Sequence, residues 1–249
     1  MHTIADAAAT LGSRFNLIFL PGANRVCHTG YGEFREQPFE LTAGIRTAEG
    51  EVYSLPFSRT ASHLERLDHV TTLTTVEYRG VHRQLGLAVG LKVRAPFYPQ
   101  DEKLSTAPFF YVDLSVRRMQ ESRGATGEGL AAQGYLVLEL HAENLPLQWQ
   151  DSRLSYRFQS TSRVQCDRTD HPAAGSSRTS PVMGWLQALD DSRATEAGFE
   201  KRFELSPGDT CTMGLLWWGW APDPVTQVFG DEAPFKYRDF FDSPGHVAE

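Results

Sequence analysis

The chain reads as all-β: a large antiparallel β-sandwich of about eleven strands with little helix. Three observations carry that reading. Apolar residues alternate with period two far more often than at helical spacing. β-Branched and aromatic residues concentrate between Gly and Pro punctuation. The strand-like runs follow one another without helices of crossover length, which a parallel sheet would need.

Taken in order, "RFNLIFL" (14–20), "FELTAGIRT" (39–47) and "EVYSLPF" (51–57) open the fold, the last two joined as a hairpin across Ala48-Glu49-Gly50. "HVTTLTTVEYRG" (69–80) alternates Val70, Thr72, Thr74, Val76 and Tyr78 against Thr71, Leu73, Thr75 and Glu77, and a short turn pairs it with "LGLAVGLKVRAPFYP" (85–99). Strands are then expected at "PFFYVDLSVRR" (108–118), "GYLVLELHAEN" (134–144), "LSYRFQSTSRVQC" (154–166), "VMGWLQALD" (182–190), "FEKRFEL" (199–205) and "TCTMGLLWWGW" (210–220). "QESRGATGEGLAAQG" (120–134) and "DRTDHPAAGSSRTSP" (167–181) read as surface loops. No internal repeat is visible.

At 249 residues the chain can bury roughly three quarters of its unfolded surface, so one large domain or two small ones are both within reach. A net charge of -7 with scattered Arg argues against nucleic acid, which needs a basic footprint. "MHTIADAAATLGSRF" lacks a basic start followed by an apolar run, and no window approaches the ~20 apolar residues of a membrane span. The expectation is a cytoplasmic protein without a membrane span. Cys27, Cys166 and Cys211 form no CxxC pair, no two His sit at the HExxH spacing, and the neighbours Cys27 and His28 would point to opposite faces of a strand. No metal or other cofactor is expected. GxSxG, P-loop and dinucleotide fingerprints are absent, and no carboxylate pair marks itself as acid and base.

Three stretches are candidates for recognition. In "PGANRVCHTGYGE" (21–33), Gly and Pro interleave with Asn24, Arg25, His28 and Tyr31, as in a loop that meets another domain or a ligand, or simply connects two strands. "FYPQDEKLS" (97–105), by contrast, reads as a solvated turn and is not one of the three. In "LLWWGW", Trp217 faces one side of its strand with Leu215, while Trp218 and Trp220 face the other with Leu216, so both faces carry apolar bulk. Trp217 reads as core; Trp185, Trp218 and Trp220 are the candidates for a sugar-stacking surface. In "PFKYRDFF", Phe235, Tyr237, Phe240 and Phe241 recur at offsets that suit neither a strand nor a long helix, which suggests an exposed interface.

Read together, "LKVRAPFYPQDEKLSTAPFFYVDLSVRR" (91–118), "LLWWGWAPDPVTQVFGDEAPFKYRDFFDS" (215–243) and "FNLIFLPG" (15–22) resemble the N-terminal β-sandwich of glycoside hydrolases of the β-glucosidase/glucosylceramidase type (family 116) and the β-xylosidase type (family 52). The resemblance implies a sandwich followed by an (α/α)6 toroid that holds both the nucleophile and the acid/base carboxylate, so no catalytic residue is carried onto this chain. One departure concerns the loop after the first strand, here "PGANRVCHTGYGEF", onto which no family ligand contacts are carried. The expected organisation is a sandwich over 1–234 and the start of a linker over 235–249. The expected function is a non-catalytic module that docks to a helical (α/α)6 domain or chain, with Asn24, Arg25, His28, Tyr31, Phe235, Tyr237, Phe240 and Phe241 at the interface. The alternative is a free-standing carbohydrate-binding module using Trp185, Trp218 and Trp220.

Overall fold

The alternating runs become strands wherever one face can be buried. The computed structural model describes residues 6–10, 15–29, 36–72, 74–120, 131–163, 177–222, 226–228, 231–233 and 235–249. In chain order the first strands are β1 (Asp6–Ala8), β2 (Asn16–Leu20), β3 (Arg25–Thr29), β4 (Glu36–Thr47), β5 (Val52–Ser54), β6 (Ser62–His63), β7 (Glu65–Thr71), β8 (Thr75–His82) and β9 (Leu87–Arg94). A short helix α1 (Glu102–Thr106) precedes β10 (Phe109–Arg118), β11 (Ala132–His141), β12 (Gln148–Gln150), β13 (Arg153–Arg163) and β14 (Ser177–Ala188). The rest are β15 (Arg193–Ala194), β16 (Gly198–Leu205), β17 (Thr210–Trp220), β18 (Thr226–Val228) and β19 (Asp231–Ala233), followed by α2 (Pro244–Val247). Among the described residues no helix is long and apolar enough to cross a membrane.

Two sheets result. A nine-stranded sheet runs β1-β2-β3-β4-β11-β16-β15, with β5 paired to β4 and β6 to β5. An eight-stranded sheet runs β12-β13-β14-β17-β10-β9-β8-β7. The pairing is antiparallel except between β5 and β6. Their inner faces meet in one core, with Phe39, Leu41, Ala43 and Ile45 of β4 and Leu136, Leu138 and Leu140 of β11 on one side. Val112, Leu114 and Val116 of β10 with Met213, Leu215 and Trp217 of β17 lie on the other. Two glycines make room for rings there: a Cβ on Gly219 would lie 2.1 Å from Phe15, and one on Gly184 would lie 2.3 Å from Tyr156.

The sandwich, the hairpin across Ala48–Gly50 and the β8–β9 hairpin follow the sequence reading. The strand over 69–80 does not. Thr72 donates its N–H to the Thr75 carbonyl at 2.8 Å, and the run divides into the hairpin partners β7 and β8. Threonine serves a strand and a turn equally well, and its alternation cannot tell them apart. Part of the 21–33 loop is also strand: a short 3-10 turn at Pro21–Ala23 ends at Asn24 with φ 52, and β3 then fills the space between β2 and β4. The 97–105 turn carries α1, capped by Asp101, whose carboxylate accepts from Leu104 N–H at 2.9 Å. Residues 177–181 belong to β14 and 132–134 to β11, whereas 121–130 and 164–176, with Cys166, lie outside the described residues.

The boundary expected at 234 also needs correction. Residues 235–249 fold back on the outer face of the eight-stranded sheet, burying Phe235, Tyr237, Phe241 and Val247 in the same core cluster as the strands. The segment is part of the sandwich's packing, because β17 presents apolar side chains on its outer face that need a cover.

Candidate functional site

Strand β17 organises both faces of its sheet. On the inner face, the Trp217 indole N–H donates to the Tyr156 hydroxyl at 2.7 Å, and that hydroxyl lies 2.8 Å from His28 Nε2. His28 Nδ1 faces the Asn16 carbonyl at 3.2 Å. A carbonyl can only accept, so Nδ1 carries the proton and Nε2 accepts from Tyr156. The direction of every bond is thereby fixed, in a chain that ties β2 and β3 of one sheet to β13 and β17 of the other. The His28 ring stacks on Phe158 at 4.3 Å, and burial lowers its pKa to about 3, keeping the imidazole neutral. Burial also pushes the Tyr156 phenol well above its usual range. His28 is fully buried, which corrects its assignment to a domain interface. Cys27 is buried on the opposite side of β3, as strand alternation requires.

On the outer face, Trp218 and Trp220 are covered by the chain's own C-terminal segment. Trp218 Nε1 donates to the Pro244 carbonyl at 3.1 Å. Tyr237 packs edge-on against Trp220 at 5.3 Å, accepts from Ala221 N–H at 2.9 Å and donates to the Ala221 carbonyl at 3.2 Å. The Arg238 guanidinium lies over Trp220 at 4.7 Å. Neither Trp218 nor Trp220 offers a face to a sugar. Trp185 is half-buried, stacked on Trp218 at 5.8 Å, and alone of the three candidates keeps part of its ring open. Phe235, Tyr237 and Phe241 are buried within the fold and Phe240 is half-buried, so the first three are corrected from partner contacts to internal ones.

Beside this cover lies a groove of about 540 Å³. Its apolar lining comes from Phe109 and Tyr111 of β10, Leu216 of β17, Leu189 after β14, Leu104 of α1, and Phe241 and Val247 of the C-terminal segment. Charge of both signs rims it, from Asp101, Lys103 and Glu249. Leu189 is 55% exposed and Tyr111 37%. Phe97, 44% exposed, and Tyr98, 53%, sit on the loop before α1. Tyr98 is tied to that helix through Ser105, whose hydroxyl accepts from Tyr98 N–H at 3.1 Å and donates to its carbonyl at 2.7 Å. Sequence reasoning missed these residues, since Tyr111 and Leu216 share a strand pattern with core neighbours.

A second concavity, of about 410 Å³, opens on the outer face of the nine-stranded sheet. Arg25, Glu40 and His141 stand on the adjacent strands β3, β4 and β11, with His141 directly opposite Glu40 in register. Arg59 donates its backbone N–H to Glu40 Oε2 at 2.6 Å and places its guanidinium 3.8 Å from Oε1. Glu143 and Asn144 complete the polar lining, over Pro38, Phe39 and Ala142. Of the four interface candidates in 21–33, Arg25 reaches this cleft, Asn24 makes a left-handed turn, His28 is internal and Tyr31 lies outside the described residues. Among the described residues no three His, Cys, Asp or Glu side chains gather as a metal site would require.

No family model matches the chain, and no curated protein does. Among solved structures, a protein of Escherichia coli K12 assigned as an aldose 1-epimerase aligns with a TM-score of 0.40 and 9% identity, over 88% of this chain and 100% of that one. The heparan sulfate lyase HepC of Pedobacter heparinus aligns with a TM-score of 0.33 and 10% identity, over 84% of this chain and 34% of that one.

Proposed function

We propose that this chain is a non-catalytic β-sandwich module of a glycoside hydrolase, docking to a helical (α/α)6 domain of the family 116 or family 52 type and shaping that domain's cleft. The observation that carries the reading is the groove beside the C-terminal segment. Six large hydrophobic residues are exposed among the described ones, and four of them, Phe97, Tyr98, Tyr111 and Leu189, belong to this groove or to the loop-and-helix unit that walls it. Apolar exposure gathered in one place marks an interaction surface, whereas scattered single residues do not. An apolar floor with a rim of mixed charge suits the apolar stripe of an amphipathic helix, and an (α/α)6 toroid is built of such helices. In this reading the interface shifts from His28 and Tyr237, which are internal, to Tyr111 and Leu189.

The test uses a family 116-type (α/α)6 domain freed of its own sandwich and mixed with the purified chain. The wild type should co-elute with it, and Leu189→Glu and Tyr111→Glu should not. The melting stability of both variants should stay within about 0.5 kcal/mol, as for other surface substitutions. Co-elution of both variants with undiminished affinity, or hydrolysis of aryl β-glucosides by the chain alone, contradicts the reading.

A further inference from the structure

We propose that the cleft on the outer face of the nine-stranded sheet binds the ring of a neutral saccharide. This site lies on the opposite sheet from the docking groove and does not depend on it. Its volume of about 410 Å³ falls within the roughly 300–1,000 Å³ of small-molecule sites. The polar lining comes from Arg25, Glu40, Arg59, His141, Glu143 and Asn144. Guanidinium, carboxylate and amide are planar groups that meet two neighbouring hydroxyls at once, the first donating, the second accepting and the third doing both. A sugar ring presents hydroxyls that donate and accept around its edge, so it satisfies such a set more fully than a simple anion or cation can.

Charge balance points the same way. Two arginines face two glutamates, so the lining carries no net formal charge and gives a strongly charged ligand no advantage. The pivotal group is also held in advance. Glu40 accepts from the Arg59 backbone N–H at 2.6 Å and from the Ser58 hydroxyl at 3.4 Å, while its side chain remains 25% exposed. A carboxylate fixed before binding loses little freedom on meeting its ligand. Below it, the exposed Pro38 and the half-buried Ala142 supply a small apolar surface for the C–H face of a ring.

The test is a titration of the isotopically labelled chain, followed by amide chemical shifts, with the methyl glycosides of glucose, galactose, mannose and xylose. Glucuronate and glucosamine serve as the anionic and cationic counterparts. At least one neutral glycoside should give saturable shifts at residues 40, 59 and 141–144, and should bind more tightly than either charged sugar. Glu40→Gln should weaken it by about tenfold or more, the cost of losing a charged hydrogen-bond acceptor. His141→Ala should weaken it as well, and keeps the test open if Glu40→Gln fails to fold. Absence of saturable shifts in the cleft across the panel, tighter binding of glucuronate or glucosamine, or undiminished binding in a folded variant each overturns the proposal.

Discussion

His28 shows how a polar residue can sit in the middle of a β-sandwich. Its two ring nitrogens are satisfied by Asn16 and Tyr156, and the Trp217 indole completes the chain, so no donor is left without an acceptor. The arrangement works only while the imidazole is neutral. With a folded pKa near 3 against 6.5 in the unfolded chain, the unfolded state takes up the proton first as the pH falls. The stability this site provides is therefore complete above about pH 6.5 and declines by about 1.4 kcal/mol for each pH unit below it, until the folded pKa is reached. Urea melts of wild type and His28→Phe between pH 7 and pH 4.5 should show this component of the slope in the wild type and not in the variant. Equal slopes would mean that His28 does not carry it. Alternation along the sequence placed Cys27 and His28 on opposite faces, as found. The burial of His28 was not legible, because the partner that makes it possible, Tyr156, lies 128 residues away.

At the scale of elements, strand β17 and the segment over 235–249 belong together. The strand was read as residues 210–220 with apolar side chains on both faces, and it has those bounds. What covers its outer face was not readable, because the spacing of Phe235, Tyr237, Phe240 and Phe241 fits no regular element. The segment folds as a 3-10 turn over Lys236–Asp239 and the short helix α2, shaped by contacts with Trp218 and Trp220. Its residues therefore differ in weight. Tyr237 is buried and exchanges two hydrogen bonds with Ala221, so Tyr237→Ala should cost about 3–5 kcal/mol through the lost aromatic packing. Phe240 is half-buried beneath Lys236, so Phe240→Ala should cost less than about 1 kcal/mol. Chemical denaturation of the two variants checks the order, and a Phe240→Ala cost equal to that of Tyr237→Ala contradicts this division. β3 and the start of β7, before His69, went unread for a related reason. Each is held by neighbours in its sheet, β7 with a bulge between Glu65 and Asp68, and neither has a clean alternation of its own.

For the whole molecule, local alternation was enough to indicate an antiparallel sandwich. It could not give the sheet orders, in which β10 lies beside β17 and β4 beside β11, since these pairings join distant parts of the chain. Nor could it show that the two outer faces differ in chemistry. The nine-stranded sheet carries a charged cleft around Glu40, while the eight-stranded sheet carries an apolar groove bordered by the chain's own C-terminal cover. In the proposed function, the groove receives a helical partner domain. The most direct measurement is amide hydrogen exchange of the chain alone and in the presence of a family 116-type (α/α)6 domain. Protection should increase at residues 97–111, around Leu189 and over 241–249, and remain unchanged around Glu40 and His141. No change in protection at the groove, or protection confined to the opposite sheet, would contradict it.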